Sequence, residues 1–266
     1  LIKEADIKIV PLYVGFNEEI YKDGEEINPE GLYNKVEELG ILPKTSAASM
    51  VDFYEAFKPH IDDGKDIIYL GIGSKFSTTF NNALLAAREF DEGRVTIIDS
   101  ENLSTSTGLL LLKTRELIKA RKTSEEIKEE ITRLTSLVRC KFAIESLDYL
   151  HKGGRCSGVS KFVGTLLRIK PIIEVKDGKM DVYAKTKGKR KAIELMINEI
   201  IENKDNLDLE NVMITHTFAD EEAKYIYDRL KEELKEVKRI HINTAGCVIC
   251  SHCGSGTIGI LYLLKK

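Results

Sequence analysis

Serine and threonine gather at three places in this 266-residue chain where an apolar run gives way to a helical pattern. Thr45 and Ser46 precede one such helix, with Ser49 three residues further on. Ser74, Ser77, Thr78 and Thr79 follow the apolar run that ends at Ile72. Ser100, Ser104, Thr105, Ser106 and Thr107 follow the run that ends at Asp99. Taken singly, each hydroxyl can serve as a helix cap, satisfying an N–H group that the first turn leaves without a partner. Taken together they can do more. If the strands before them run parallel, the junctions lie at the carboxyl ends, where open α/β sheets bind ligands. Hydroxyls beside free N–H groups hold a carboxylate or a phosphate. Lys75 is the one cation in these junctions. A nearly neutral hydroxyl cradle suits a single carboxylate and argues against phosphate transfer.

A second group is Cys247-Val248-Ile249-Cys250-Ser251-His252-Cys253. The spacing begins like an iron–sulfur run but lacks the fourth cysteine. Read as a strand, it places Cys247 and Cys253 on one side and Cys250 on the other, which cannot close around one zinc. Buried small hydrophobes are expected instead, with a reactive thiol at Cys253 as the competing reading. His252 reads either as a satisfied core histidine or as a ligand-site residue, and the glycines at 254 and 256 favour the second. His60, His151, His216 and His241 form no constellation with a nucleophile. Ser77 lacks the flanking glycines of a nucleophile elbow. Gly71-Ile72-Gly73 invites a dinucleotide reading, but Phe76 stands where the third glycine belongs, so that reading is rejected.

The elements that must position these groups alternate between apolar, β-branched runs and helical periodicity, an α/β signature. Strands are expected at residues 7–16, 66–72, 95–98, 142–144, 212–215 and 238–243. A further apolar strand is expected at 247–251. A hairpin is expected from 169–175 through Asp177-Gly178 to 180–184. Helices are expected at 28–39, at 46–57 with Pro59 ending it, and at 77–88, 104–120, 124–138, 189–203 and 219–234, with a helical turn at 146–150. The texture changes after Cys140, which places a domain boundary near Val138. The basic run from Lys185 to Lys191 reads as a solvated helix entry.

Bulk properties narrow the function. Net charge is −3 at pH 7, so no global field gathers nucleic acid or anionic membrane. No apolar run reaches the roughly 18–20 residues of a membrane helix. The start, Leu1-Ile2-Lys3-Glu4, does not read as a signal peptide, and five cysteines, an odd count, fit a reducing cytoplasm. A cytoplasmic protein is expected.

The motifs also carry a family likeness. Thr45-Ser46, the segment from Gly73 to Ala83 and Ile97-Ile98-Asp99-Ser100 with residues 104–108 resemble the serine–threonine segments of the DegV family. Leu147-Asp148-Tyr149-Leu150-His151-Lys152-Gly153-Gly154-Arg155 is similar to another of its motifs, as is Leu166-Leu167-Arg168-Ile169-Lys170-Pro171-Ile172-Ile173. His252 with Gly254 and Gly256 resembles its C-terminal histidine–glycine segment. This order of motifs covers nearly the whole chain.

The resemblance implies two domains: an N-terminal α/β/α domain with a parallel sheet (1–138) and a C-terminal two-layer α/β domain with a mixed sheet (139–266). A long-chain fatty acid would lie in a tunnel between them. It implies Thr45, Ser77 and His252 as the carboxylate-holding residues, with Ser46, Ser74 and Thr79 beside them. Arg155 would face a partner, an ATP-dependent fatty acid kinase subunit that converts the bound acid to an acyl phosphate for phospholipid synthesis. No metal, no resident cofactor and no catalytic residue are expected. Three departures stand out. The family's first strand, with its Asp-Ser/Thr motif, has no counterpart in this sequence. Thr78 replaces a glycine, and Cys253 and Ser255 replace a threonine and a proline. The alternatives are an acyl or small-acid transferase or hydrolase using Ser77 or Cys253 with His252, and the same fold holding another lipid-like ligand.

Overall fold

The computed structural model describes residues 7–155 and 169–266. Part of one family motif, Leu166 to Arg168, and the start of the chain at Leu1 lie outside the described residues. The chain opens with strands β1 (Tyr13–Phe16) and β2 (Glu19–Lys22), helix α1 (Pro29–Leu39), strand β3 (Lys44–Ser46) and helix α2 (Met50–Asp62). β1 pairs antiparallel with both β2 and β3. Then come β4 (Ile67–Gly71), α3 (Thr79–Ala87), β5 (Val95–Asp99), α4 (Thr105–Lys119) and α5 (Ser124–Thr135). β4 and β5 are parallel, Leu70 beside Ile98. One face of this pair joins Leu110, Ile127 and Ile131 of α4 and α5; the other meets Phe53, Phe57, Ala83 and Ala86 of α2 and α3. That is a helix–sheet–helix layering.

The second half contributes β6 (Val138–Ala143), the short α6 (Asp148–Lys152), β7 (Ile169–Lys176), β8 (Lys179–Lys187), α7 (Lys189–Glu202) and β9 (Leu207–His216). It closes with α8 (Asp220–Glu233), β10 (Ile240–Thr244), α9 (Cys247–Cys253) and β11 (Ile258–Leu264). Six strands form one mixed sheet in the order β10-β9-β11-β6-β7-β8, parallel only between β10 and β9. α7 and α8 cover one face through Ile193, Ile197, Ile226 and Leu230; the other packs Cys140, Phe142, Ile173 and Leu261 against Leu109 and Leu112 of α4. The fold is thus α/β with a parallel pair in the first half and a mixed sheet in the second.

Local chemistry explains most helix starts. Asn28 accepts from Gly31 N with Pro29 at the first turn, and Ser49 and Thr123 form capping boxes with Asp52 and Glu126. Asp177 and Gly178 both have positive φ, 51° and 68°, the left-handed pair a two-residue hairpin turn needs. Two residues of the basic run pair with acids outside it: Lys189 bridges Glu145 and Glu222, and Arg190 reaches Glu194.

Four expectations are corrected. Residues 247–251 are helical, because Asp23 takes the N–H groups of Cys247 (2.7 Å) and Val248 (2.9 Å), a cap from 224 residues upstream. An unbroken apolar run does not separate a strand from a buried helix. Pro59 lies inside α2, not beyond its end; its ring removes only its own N–H bond, and buried Phe53 and Phe57 hold the helix on the core. The strand expected over 7–16 is confined to Tyr13–Phe16 among its described residues, with the preceding segment packing by side chains. Finally, residues 258–264, for which the sequence pattern predicts no element, form β11, an inner and wholly buried strand.

Candidate functional site: a hydroxyl-lined cavity between the two halves

A cavity of about 470 Å³ is walled by residues of both halves. β3 and the loop after it supply Thr45, Ser46 and Ala47; the β4–α3 loop supplies the stretch from Ser74 to Thr78. From the second half come Phe142 of β6, Leu150 of α6, Met180 of β8 and four residues of α9, His252 among them. The described lining includes two cations, Lys75 and Arg155, and no acid.

Five of the six expected anion-binding residues therefore meet at this cavity: Thr45, Ser46, Ser74, Ser77 and His252. Thr79 stands behind them. It is buried, its hydroxyl lies 2.7 Å from Ser77 Oγ, and its N–H donates to the same oxygen at 3.2 Å. Thr78, the formal N-cap of α3, makes no side-chain capping bond. Ser77 is thus oriented by Thr79 with its outer side turned to the cavity.

The third hydroxyl cluster has a different job. Ser100 is fully buried and donates to Gly71 O at 2.6 Å, while Asp99 accepts from Ser74 N at 3.1 Å and Glu101 N at 3.0 Å. These bonds tie the β5–α4 loop to the β4–α3 loop. They also account for Gly73: a Cβ there would sit 2.9 Å from the Glu101 backbone.

His252 is fixed from both sides. Its Nε2 lies 2.9 Å from Thr45 Oγ1, while Nδ1 is buried without a partner among the described residues. A Cβ on residue 153 would stand 2.3 Å from that Nδ1, so Gly153 is what lets α6 approach the ring. Burial first, and then the charge of Arg155, pull the imidazole pKa from 6.5 to about 4. The ring is therefore neutral near pH 7. With Nδ1 bare, the proton belongs on Nε2, donated to Thr45, whose own hydroxyl hydrogen is then free to point into the cavity.

Each of the two cations gives an N–H to a backbone carbonyl. Lys75 Nζ donates to Asp177 O at 2.8 Å, joining the first half to the β7–β8 turn, and Arg155 donates to Gly153 O at 2.7 Å. Cys140, Cys247, Cys250 and Cys253 are buried thiols whose pKa values burial raises. Among the described residues no group of three or more His, Cys, Asp or Glu side chains could hold a metal ion, and no helix is long and apolar enough to cross a membrane. Sequence reasoning missed the apolar wall and the anchor Asp23. Phe142, Leu150 and Met180 belong to ordinary strand and helix patterns, and nothing local marks Asp23 as a cap for α9.

A two-part α/β protein with a mainly apolar, hydroxyl-bearing cavity between its halves is the class these features define. Comparison with known proteins gives the same class. The model of the DegV family, described as an uncharacterised protein family, matches residues 1–265. A fatty acid-binding protein of Thermotoga maritima is 32% identical over 270 residues, covering 97% of this chain and 91% of its own. A structure described as fatty acid binding of a DegV family protein from Thermus thermophilus superposes with a TM-score of 0.92 at 30% identity, covering 99% of this chain and 94% of that one. A stearic acid-binding protein from Eubacterium ventriosum superposes at 0.88 with 25% identity, covering 99% and 93%. The chain belongs to the DegV family.

Proposed function

We propose that this protein binds one long-chain fatty acid between its two halves and carries out no chemistry on it. The observation that carries the reading is the composition of one cavity. Thr45, Ser77 and neutral His252 are gathered in it, its described lining has no acid, and much of the remaining wall is apolar. The relatives described as fatty acid-binding support it. The carboxylate would accept from Thr45 and Ser77, with Ser46 and Ser74 at the rim, Thr79 behind Ser77, and His252 orienting Thr45. A volume of about 470 Å³ lies within the usual range of small-molecule cavities. Each methylene removed from water contributes about 0.8 kcal/mol before binding costs, which favours an enclosed tail.

The finer parts of the reading are these. The halves divide near residue 138, where β6 begins the mixed sheet, so the ligand lies between residues 1–138 and 139–266. The carboxylate is presented to an ATP-dependent fatty acid kinase subunit, and exposed Arg155 at the cavity mouth faces that partner. Against a hydrolase or transferase, His252 Nε2 engages Thr45 while Ser77 is bonded to Thr79, so neither nucleophile has a base. Cys253 is buried, with its thiol pKa raised.

The test is native mass spectrometry of the purified protein, followed by denaturation and identification of what is released. Ser77→Ala and Thr45→Ala should each weaken retention, by about tenfold to a hundredfold for a hydrogen bond to a charged group. Wild-type occupancy in both variants would overturn the site. With a cognate kinase subunit and ATP, Arg155→Ala should keep the ligand and slow acyl phosphate formation; unchanged turnover would remove Arg155 from the docking face.

A further inference from the structure

The loop between β4 and α3 carries Ser74 and Ser77, and its two ends are fastened to the first half. At its start Gly73 N donates to Asn102 O at 2.8 Å and Ser74 N donates to Asp99 at 3.1 Å. At its end Thr79 is buried and opens α3. The middle is fastened elsewhere. Phe76 packs against an apolar cluster that includes Phe142, Val175 and Met180 of the mixed sheet. Lys75 Nζ donates to Asp177 O, 2.8 Å away in the turn between β7 and β8.

The receiving side is a well-paired hairpin. Val175 lies opposite Met180 and Lys176 opposite Lys179, so Asp177 and Gly178 are held from both strands. The lysine stem lies directly on the turn. A Cβ on residue 178 would stand 2.9 Å from Lys75 Cδ and 3.4 Å from its Cγ. Glycine at 178 therefore serves twice, for its positive φ of 68° and for the approach of the lysine. Met180, two residues further on, lines the same cavity as Lys75 and Ser77.

We propose that Lys75 is a positioning residue, which clasps the β4–α3 loop to the hairpin turn and so holds Ser77 where a carboxylate is bound. The inference rests on the fatty acid reading above. Ser77 is two residues from Lys75, and Thr79 orients its hydroxyl from the helix side. Phe76 keeps the loop against the second half, but apolar packing has no direction, whereas the Lys75 hydrogen bond selects one geometry. The hairpin thus sets one arm of the cradle from across the seam. Lys75 acts through Ser77 and the ammonium makes no ion pair with the ligand.

The test is the affinity of the delipidated protein for palmitic acid, measured by titration calorimetry in a double-mutant cycle. Lys75→Met keeps the stem and loses the donor, and it should weaken binding by about two- to fivefold, as for one exposed hydrogen bond from a charged group. Lys75→Arg, which can still donate to the carbonyl, should restore most of the loss. Gly178→Ala displaces the stem while keeping the charge, and should weaken binding alike. In a Ser77→Ala background, Lys75→Met should cost nothing further. A loss that persists in that background shows the charge acting on the carboxylate directly and overturns the positioning role. Unchanged affinity in Lys75→Met, with palmitic acid still bound by the wild type, overturns the clasp and leaves the carrier reading intact. A wild type that binds no palmitic acid overturns the carrier reading and the clasp with it. Melting temperatures are recorded alongside, and if Gly178→Ala does not fold, the cycle on exposed Lys75 decides the matter by itself.

Discussion

Lowering the pH should destabilise this protein through His252 in a defined window. In the folded chain burial and Arg155 hold its pKa at about 4, against 6.5 when exposed. Between those values the unfolded state binds a proton that the folded state refuses, so stability rises with pH there. Above about pH 6.5 both states are neutral at this residue and the contribution vanishes. Below about pH 4 both are protonated and the loss is complete, about 3 kcal/mol from the shift of the two values. Between pH 7 and pH 5 the change works out to about 2 kcal/mol. Urea unfolding of the ligand-free wild type and of His252→Gln at pH 7, 6 and 5 isolates it. The glutamine variant keeps a donor toward Thr45 and cannot titrate. The stability difference between the two proteins should shift by about 2 kcal/mol in favour of the variant as the pH falls. Parallel stability curves would show that His252 is not held neutral by burial, and the proton placement on Nε2 would lose its basis.

Two other perturbations test the framework around the site. Lys141 is a buried cation 3.3 Å from Glu174, also paired with Glu199 and 3.7 Å from the Tyr183 ring centre. Lys141→Met alone should cost about 3–5 kcal/mol in chemical denaturation by stranding Glu199, and Lys141→Met with Glu199→Leu should recover most of it. Asp23 holds the first two N–H groups of α9, so Asp23→Ala should lower stability by about 1–2 kcal/mol and weaken fatty acid retention without touching the cavity. Full retention of the acid would show that α9 keeps its place without that cap.

Much of the architecture was legible because it is written in local patterns. The alternation of β-branched runs with helical periodicity predicts β4-α3-β5 and β9-α8-β10, and Pro29 marks the first turn of α1, whereas α2 is capped by Ser49 and begins at Met50, not at the expected 46. What local pattern does not contain is pairing between distant segments. β3 is a strand because it lies beside β1, with Thr45 opposite Val14, and α9 is a helix because Asp23 waits for it. β11 is apolar on both faces because it is central, so it lacks the alternation that marks a half-buried strand. For the site, the residue types were legible and the division of labour was not. Serine at 74 and 77 reaches the cavity, whereas serine at 100, equally placed before a helix, is consumed in joining two loops.

The same division bears on how the carboxylate of the proposed ligand would be held without a formal ion pair. Lys75 and Arg155 border the cavity, and each gives one N–H to a backbone carbonyl. The groups aimed inward are hydroxyls, and the histidine behind Thr45 is kept neutral. A cation buried against the carboxylate would bind more tightly, and removing the ligand would strand that cation in a low-dielectric space at a cost of several kcal/mol. Neutral donors leave no such charge behind when the acid departs. In the carrier proposed above, tail burial would supply the affinity and hydroxyls the orientation, as suits release of the cargo to a partner. A variant that placed a positive charge at the cradle, Ser77→Lys, should hold a fatty acid more firmly and exchange it more slowly, read as the rate at which an isotopically labelled acid replaces the bound one. Faster exchange with unchanged occupancy would contradict the argument from neutral donors.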